Sequence, residues 1–146
     1  MIAPLRSEHA ERAAVIHAES FETGWSAETL SGHINNDLCL GISQGDELCG
    51  FIILRSAADQ ADIVTIAIAK TARRKGLANR LLEAAEQTAS QQGVELIFLE
   101  VAEDNAAAIA LYKSARYDAI GKRPAYYRRE NGRVAALTFR KTLIVS

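Results

Sequence analysis

The chain has 146 residues, 49% of them hydrophobic and 24% charged, which is the balance of one ordinary globular domain spanning residues 1–146. Lys and Arg number 17 and Asp and Glu 18, so the net charge of −1 argues against a non-specific nucleic-acid binder or a basic membrane-surface protein, and any cationic site must be local. The start "MIAPLRSEHAER" lacks the apolar core of a leader, no apolar run approaches a membrane span, and two cysteines make no disulfide framework, so a cytoplasmic protein is expected.

In chain order, Ile2 to Leu5 reads as a short extended start. Ser7 then caps a helix in "SEHAERAAVIHAES", whose weak apolar face is Ala10, Ala14, Ile16-His17 and Ser20. A second short helix follows in "SAETLSGHI", capped at Ser26. Residues 38–44 and 47–56 form a hairpin about Gly45-Asp46. With Gln44 opposite Glu47, Cys49 faces Ile42 and Cys39 faces Ile52. The thiols then lie about 10 Å apart, too far to bridge and so reduced. A β-branched strand covers 61–69. A helix over 76–92 shows an apolar face of Ala78, Leu81, Leu82, Ala85 and Ala89, and Gly93 ends it. A strand at 94–102 follows, then an alanine-rich helix at 104–115 capped by Asp104 or Asn105. Strands at about 117–125 and 134–143 turn at Glu130-Asn131-Gly132. His9, His17 and His33 have no metal-ligand spacing and read as helix or surface residues, so no metal site is expected.

The 61–69 strand, the 76–92 helix and the 94–102 strand make a βαβ crossover, whose two strands should be parallel neighbours. Ligands of such units sit at the strands' carboxyl ends, beside the helix N-terminus. There the chain reads "RRKGLANRLL". Three cations at the positive end of a helix dipole are electrostatically misplaced unless something negative belongs there. Free first-turn N–H groups can bind phosphate oxygens, and Gly76 and Ala78 let a bulky anion approach the backbone. Taken alone, the tripeptide reads better as a solvated surface run; Gly-x-Ala after it, inside a crossover, favours the anion site. The loop is neither a Walker A sequence nor Gly-x-Gly-x-x-Gly.

"TIAIA", "RRKGLANRLL" and "LEVAEDNAAAIALYKSARY" together resemble the GNAT superfamily of acetyl-CoA-dependent N-acetyltransferases, over roughly residues 20 to 143. Within it the chain resembles the RimI-type enzymes, which acetylate the N-terminal alanine of a small-subunit ribosomal protein. The resemblance implies an α/β GNAT fold, a mixed central sheet of about seven strands with flanking helices. It implies acetyl-CoA as co-substrate, with its pyrophosphate on the Arg73, Arg74, Lys75, Gly76, Leu77, Ala78 and Asn79 segment. Ile66, Ala67 and Ile68 would pair with the pantetheine arm, one of their N–H groups polarising the acetyl carbonyl, and Asn105 would contact the arm or its thioester end.

Glu100 lies in an otherwise apolar strand, where surroundings of that kind suit a base; a strand-end glutamate pairing a lysine has the same appearance. Tyr112 stands two helical turns after Asn105 and reads either as a core tyrosine or as a proton donor. The resemblance makes Glu100 the general base, through a water, and Tyr112 the general acid. It also sets Trp25, Tyr126 and Tyr127 at the acceptor groove. Four positions depart from the family pattern: Gly24 for a proline, Asn79 for an arginine, Arg116 for a helix-ending glycine, and a last strand "RVAALTF" without its acid. The implied reaction is direct acetyl transfer to the N-terminal peptide of a ribosomal protein, with no nucleic-acid or membrane partner and no oligomeric state specified. The rival readings are a GNAT acting on a lysine side chain or small amine, and a non-catalytic acetyl-CoA sensor or partner module.

Overall fold

The computed structural model describes residues 1–21, 24–130 and 132–143. Strand β1 (Ile2–Pro4) leads into helices α1 (Ala10–Ala18) and α2 (Ala27–Asn36). The hairpin β2 (Leu38–Gln44) and β3 (Glu47–Ala57) follows, then β4 (Gln60–Ile68), α3 (Leu77–Gln91), β5 (Leu96–Ala102), α4 (Ala106–Ser114), β6 (Asp118–Arg129) and β7 (Gly132–Thr142). The seven strands form one mixed sheet in the order β1-β2-β3-β4-β5-β7-β6.

Local sequence chemistry accounts for most of these elements. Ser26 caps α2 by accepting from the Thr29 N–H at 3.1 Å, and Asn105 caps α4 by accepting from the Ala108 N–H at 3.1 Å. At α1 the sequence reading is corrected: a 3-10 turn, Ser7–His9, precedes the helix, and the Arg6 N–H donates to His9 Nδ1. Ser7 therefore does not cap α1. On α3 the buried positions are Leu77, Leu81, Leu82, Ala85 and Ala89, so Leu77 replaces Ala78 on the inner face. Phe51, Ile52, Ile53 and Leu54 of β3 are all 0% exposed, because the strand is central and covered on both faces.

Bulges shift two registers, one of them predicted above. In the β2–β3 hairpin, Gln44 does face Glu47, but Ile42 faces Gly50 and Cys39 faces Ile53. Cys49 is the extra residue, so the expected Cys49–Ile42 and Cys39–Ile52 pairings are displaced by one. Both cysteines are free and buried, and burial, with Asp37 nearby, pushes the Cys39 thiol up to about 12. Between β3 and β4, Ile53 faces Thr65 while Leu54 faces Ile63, which leaves Val64 as the extra residue.

That second bulge bears on the sheet's one parallel junction. β4 and β5 are parallel neighbours, as the crossover requires, but pair only at Gln60–Leu96, Ala61–Ile97 and Asp62–Phe98. Beyond Asp62, β4 pairs only with β3 and β5 only with β7. The sheet splits, and the edge of β4 from Ile63 to Ile68 faces no strand.

Candidate active site

The split is bordered by two clefts. One, of about 550 Å³, is lined by Ile66, Ala67 and Ile68, by Arg73, Arg74, Gly76, Leu77, Ala78 and Asn79, and by Asn105, Ala108 and Leu111 of the α4 region. The other, of about 600 Å³, is lined by Gln60, Asp62, Ile63 and Val64 of β4, Phe98, Leu99 and Glu100 of β5, and Tyr127 and Thr138. Consecutive stretches of β4 therefore wall the two clefts.

The first cleft is built to take an anion. Among the described residues no hydrogen bond engages the N–H groups of Arg74 to Asn79, and the first helical bond runs from the Arg80 N–H to the Gly76 carbonyl at 3.2 Å. Arg74 and Gly76 take left-handed conformations, φ 66° and 75°, which turn successive N–H groups into a concave nest. A Cβ built on Gly76 meets nothing within 4 Å, so the glycine keeps open the space a ligand would occupy. These features fit a pyrophosphate.

Not every residue of that segment serves the same purpose. The Arg73 guanidinium donates to the carbonyls of Ile68 (3.2 Å) and Glu19 (3.0 Å) and to Ser20 Oγ (3.1 Å). It is a strap from the end of α1 to the end of β4, not a free phosphate cation. Lys75 is exposed and does not line the cleft. Glu19, Ser20, Phe21, Ala107, Ala108 and Leu111 do line it. Sequence reasoning missed them because no motif marks which part of α1 lies against the α3 N-terminus.

On β4 only alternate residues face the split. The Ala69 N–H donates to the Cys49 carbonyl at 2.7 Å, and the Ala67 carbonyl lies toward Gly50, so Ala67 and Ala69 turn to β3. By the two-residue period, Ile66 and Ile68 present their N–H and C=O groups to the split, and the Ile68 carbonyl indeed meets Arg73 there. The expected pantetheine pairing thus narrows to Ile66 and Ile68, with Ala67 committed to β3. Asn105 lines the same cleft; its Oδ1 is spent on the α4 cap, which leaves its Nδ2 as the donor.

In the second cleft the structure corrects the setting expected for Glu100. Tyr112 of α4 lies 6.5 Å, ring to ring, from Phe139, which pairs with Leu99, so α4 covers the Leu99 face of the sheet. Phe98 and Glu100 alternate to the opposite face, where Phe98 is half-buried and Glu100 exposed, so the apolar enclosure expected around Glu100 is absent. Glu100 is instead ion-paired: Arg123 Nε donates to Oε2 at 2.8 Å, and the Arg123 terminal nitrogen reaches Oε1. Tyr127 walls the same cleft, and burial, then the Glu100 charge, raises its phenol above the ordinary value.

Tyr112 is 5% exposed, set edge-on to Tyr117 at 5.6 Å, and burial alone raises its phenol well above the ordinary tyrosine value. Its proton is held more tightly than matching to a thiolate requires, and Tyr112 lines neither cleft, so burial weakens the sequence argument for an acid. Tyr126 is exposed, with the Arg123 guanidinium 4.0 Å from its ring centroid. Trp25 lines neither cleft. Its ring stacks between His17 (4.5 Å) and His33 (4.9 Å), and the Trp25 backbone N–H donates to His17 Nδ1 at 3.1 Å. Burial lowers the pKa of His17, consistent with a neutral ring that accepts this bond. Arg116 does take the left-handed position that ends α4, at φ 71°. Among the described residues no cluster of His, Cys, Asp or Glu is placed to hold a metal, and no helix is long and apolar enough to cross a membrane.

A split sheet with an N–H nest at the crossover helix defines an acyl-CoA-type transferase fold, and the family model of the acetyltransferase (GNAT) family matches residues 6–116. The chain belongs to that family. It is 32% identical over 114 residues, 77% of each chain, to the [ribosomal protein bS18]-alanine N-acetyltransferase of Escherichia coli strain K12. The crystal structure of the ribosomal-protein-S18-alanine N-acetyltransferase from Escherichia coli superposes with a TM-score of 0.92 at 28% identity, covering 100% of this chain and 95% of that one. A Salmonella typhimurium protein solved with its cofactor acetyl-CoA shares the fold, with a TM-score of 0.87 at 13% identity over 99% of this chain and 94% of that one.

Proposed function

We propose that this chain is a cytoplasmic acetyl-CoA-dependent N-acetyltransferase that acts on the N-terminal alanine α-amine of a small-subunit ribosomal protein. The observation that carries the reading is the sheet split, with an anion nest in one bordering cleft and an acidic acceptor cleft at the other. The likeness to the bS18-alanine N-acetyltransferases supports the choice of acceptor.

Bound acetyl-CoA supplies the activated acetyl thioester. The N–H groups of Arg74 to Asn79 hold its phosphates, and Asn105 Nδ2 and the edge groups of Ile66 and Ile68 orient the arm. A β4 N–H aimed into the split favours negative charge developing on a carbonyl oxygen there. Glu100 accepts one proton of the incoming ammonium through a water; the freed amine attacks the acetyl carbonyl, the C–S bond breaks, and Tyr112 protonates the departing thiolate and regains its proton from the second one the new amide nitrogen releases. Tyr126 and Tyr127 wall the acceptor groove.

Thiol release is measured with a peptide bearing a free N-terminal alanine, an N-blocked peptide with an internal lysine, and a polyamine. Turnover on the free alanine peptide alone is expected. Turnover only on the other two replaces the acceptor and keeps the acetyltransferase. Silence on all three with acetyl-CoA still bound favours a sensor. In the active enzyme, Glu100→Gln removes turnover and keeps acetyl-CoA binding.

A further inference from the structure

We propose that Arg123 is a latch on Glu100, which the acceptor ammonium must displace, so that Arg123 sets the affinity for the acceptor. The inference rests on the reading of Glu100 as the base. Both carboxylate oxygens of Glu100 are taken by one guanidinium, through Arg123 Nε at 2.8 Å and its terminal nitrogen. The guanidinium takes one acceptor site on each oxygen and places a positive charge where the ammonium must approach, so the incoming cation competes with Arg123 for the carboxylate.

Arg123 is placed to let go. It stands at the edge of a bulge in which β6 carries two more residues than β7, between the pairs Arg123–Ala136 and Tyr127–Val134. The ladder is interrupted there, and Ala125 takes φ 52°. The guanidinium already lies 4.0 Å from the Tyr126 ring centroid, so a cation–π contact holds it when Glu100 is given up. Arg123 is 53% and Glu100 31% exposed, which keeps the pair exchangeable rather than locked. The neighbouring charges leave this exchange open. Lys122 is paired with Glu103 at 3.2 Å and Arg129 with Asp104 at 2.8 Å. Asp62, in the same cleft, has no ion pair among the described residues and attracts an incoming cation toward Glu100.

The exchange predicts an unusual salt response. In the wild type one cation replaces another at Glu100, so acceptor KM varies little with salt. In Arg123→Met the ammonium meets an uncompensated carboxylate, and its binding is screened as salt rises. Acceptor KM is measured at about 50 and about 500 mM potassium chloride, on whichever acceptor of the three-member panel the wild type uses fastest, with melting temperatures as a folding control. The expected result is a KM in Arg123→Met roughly twofold to fivefold below wild type at low salt, rising to meet it at high salt. Arg123→Lys, which keeps the charge and loses the fork, should fall between the two.

A higher KM in Arg123→Met at low salt overturns the proposal, because Arg123 then holds the acceptor itself. Equal salt responses, or a loss of kcat/KM that simply follows a lowered melting temperature, overturn it in favour of a structural ion pair. If Glu100→Gln turns over like wild type, or no acceptor is used, the base reading fails and the latch with it. If Glu100→Gln is inactive and Arg123→Met is indistinguishable from wild type, the latch alone fails.

Discussion

Gly76→Ala separates the conformational role of the anion loop from its ligand role. At φ 75° an L-residue pays roughly 1–2 kcal/mol of steric cost, offset in part by about 0.4–1 kcal/mol from the stiffer unfolded chain. A Cβ at this position meets no protein atom within 4 Å, so no packing clash adds to that figure. The net loss is about 0.5–1 kcal/mol, a fall in Tm of roughly 1.5–3 °C for a chain of this length. Gly76 lines the cleft, so the added methyl brings bulk beside the nest N–H groups. Disturbing one charge-assisted bond to phosphate costs about 1.5–3 kcal/mol, or on the order of 10- to 100-fold in Kd for coenzyme A, read by titration calorimetry. Gly45→Ala is the control, since Gly45 has φ 62° and open space around its Cβ in a hairpin far along the chain from the nest. It should lose similar stability and keep coenzyme A affinity. Gly76→Ala binding within twofold of wild type, or equal weakening in Gly45→Ala, would refute the assignment of the nest.

Tyr112→Phe keeps the ring packing on Tyr117 and Phe139 and removes only the hydroxyl. Single-turnover kinetics should show a fall of about 10²–10⁴-fold with coenzyme A affinity unchanged. His17 has a folded-state pKa lowered by burial, so the unfolded chain binds its proton more readily. Its destabilising effect is absent above about pH 6.5 and grows as pH falls below that value. Melting temperature should therefore decline from pH 6.5 downward in the wild type and less steeply in His17→Gln, which keeps an acceptor for the Trp25 N–H. Glu86 accepts from Tyr117 Oη at 2.9 Å and Lys141 Nζ at 2.8 Å, tying α3 to the far end of the sheet. Glu86→Leu strands both partners in a partly buried site and should cost about 2–4 kcal/mol in urea unfolding.

Much of this site is written in local patterns. The α2 and α4 caps need only Ser26 and Asn105 and the N–H three residues on. The anion nest could be read from cations and a glycine where a crossover helix begins. Arg116 keeps a non-glycine residue at the left-handed end of α4, which its departure from the family pattern left open. Cys49 was misplaced by one position because a bulge changes the register without any marker in an alternating strand. Trp25, expected at the acceptor groove, lines neither cleft for another reason. Its neighbours His17 and His33 lie on two helices, and only the packing of α1 against α2 stacks the three rings.

By itself the sequence determined the element order, the crossover, the basic, glycine-containing turn that opens α3 and the family, because these depend on spacing within a few residues of one another. Tertiary structure decided what each charged group does. Arg73 became a strap because the end of α1 lies beside it, 54 residues away in sequence. Glu100 became half of an ion pair because Arg123, 23 residues on, returns across the sheet to meet it. Charge acts through space and not along the chain, so a side chain's partner is fixed only when the strands have taken their places.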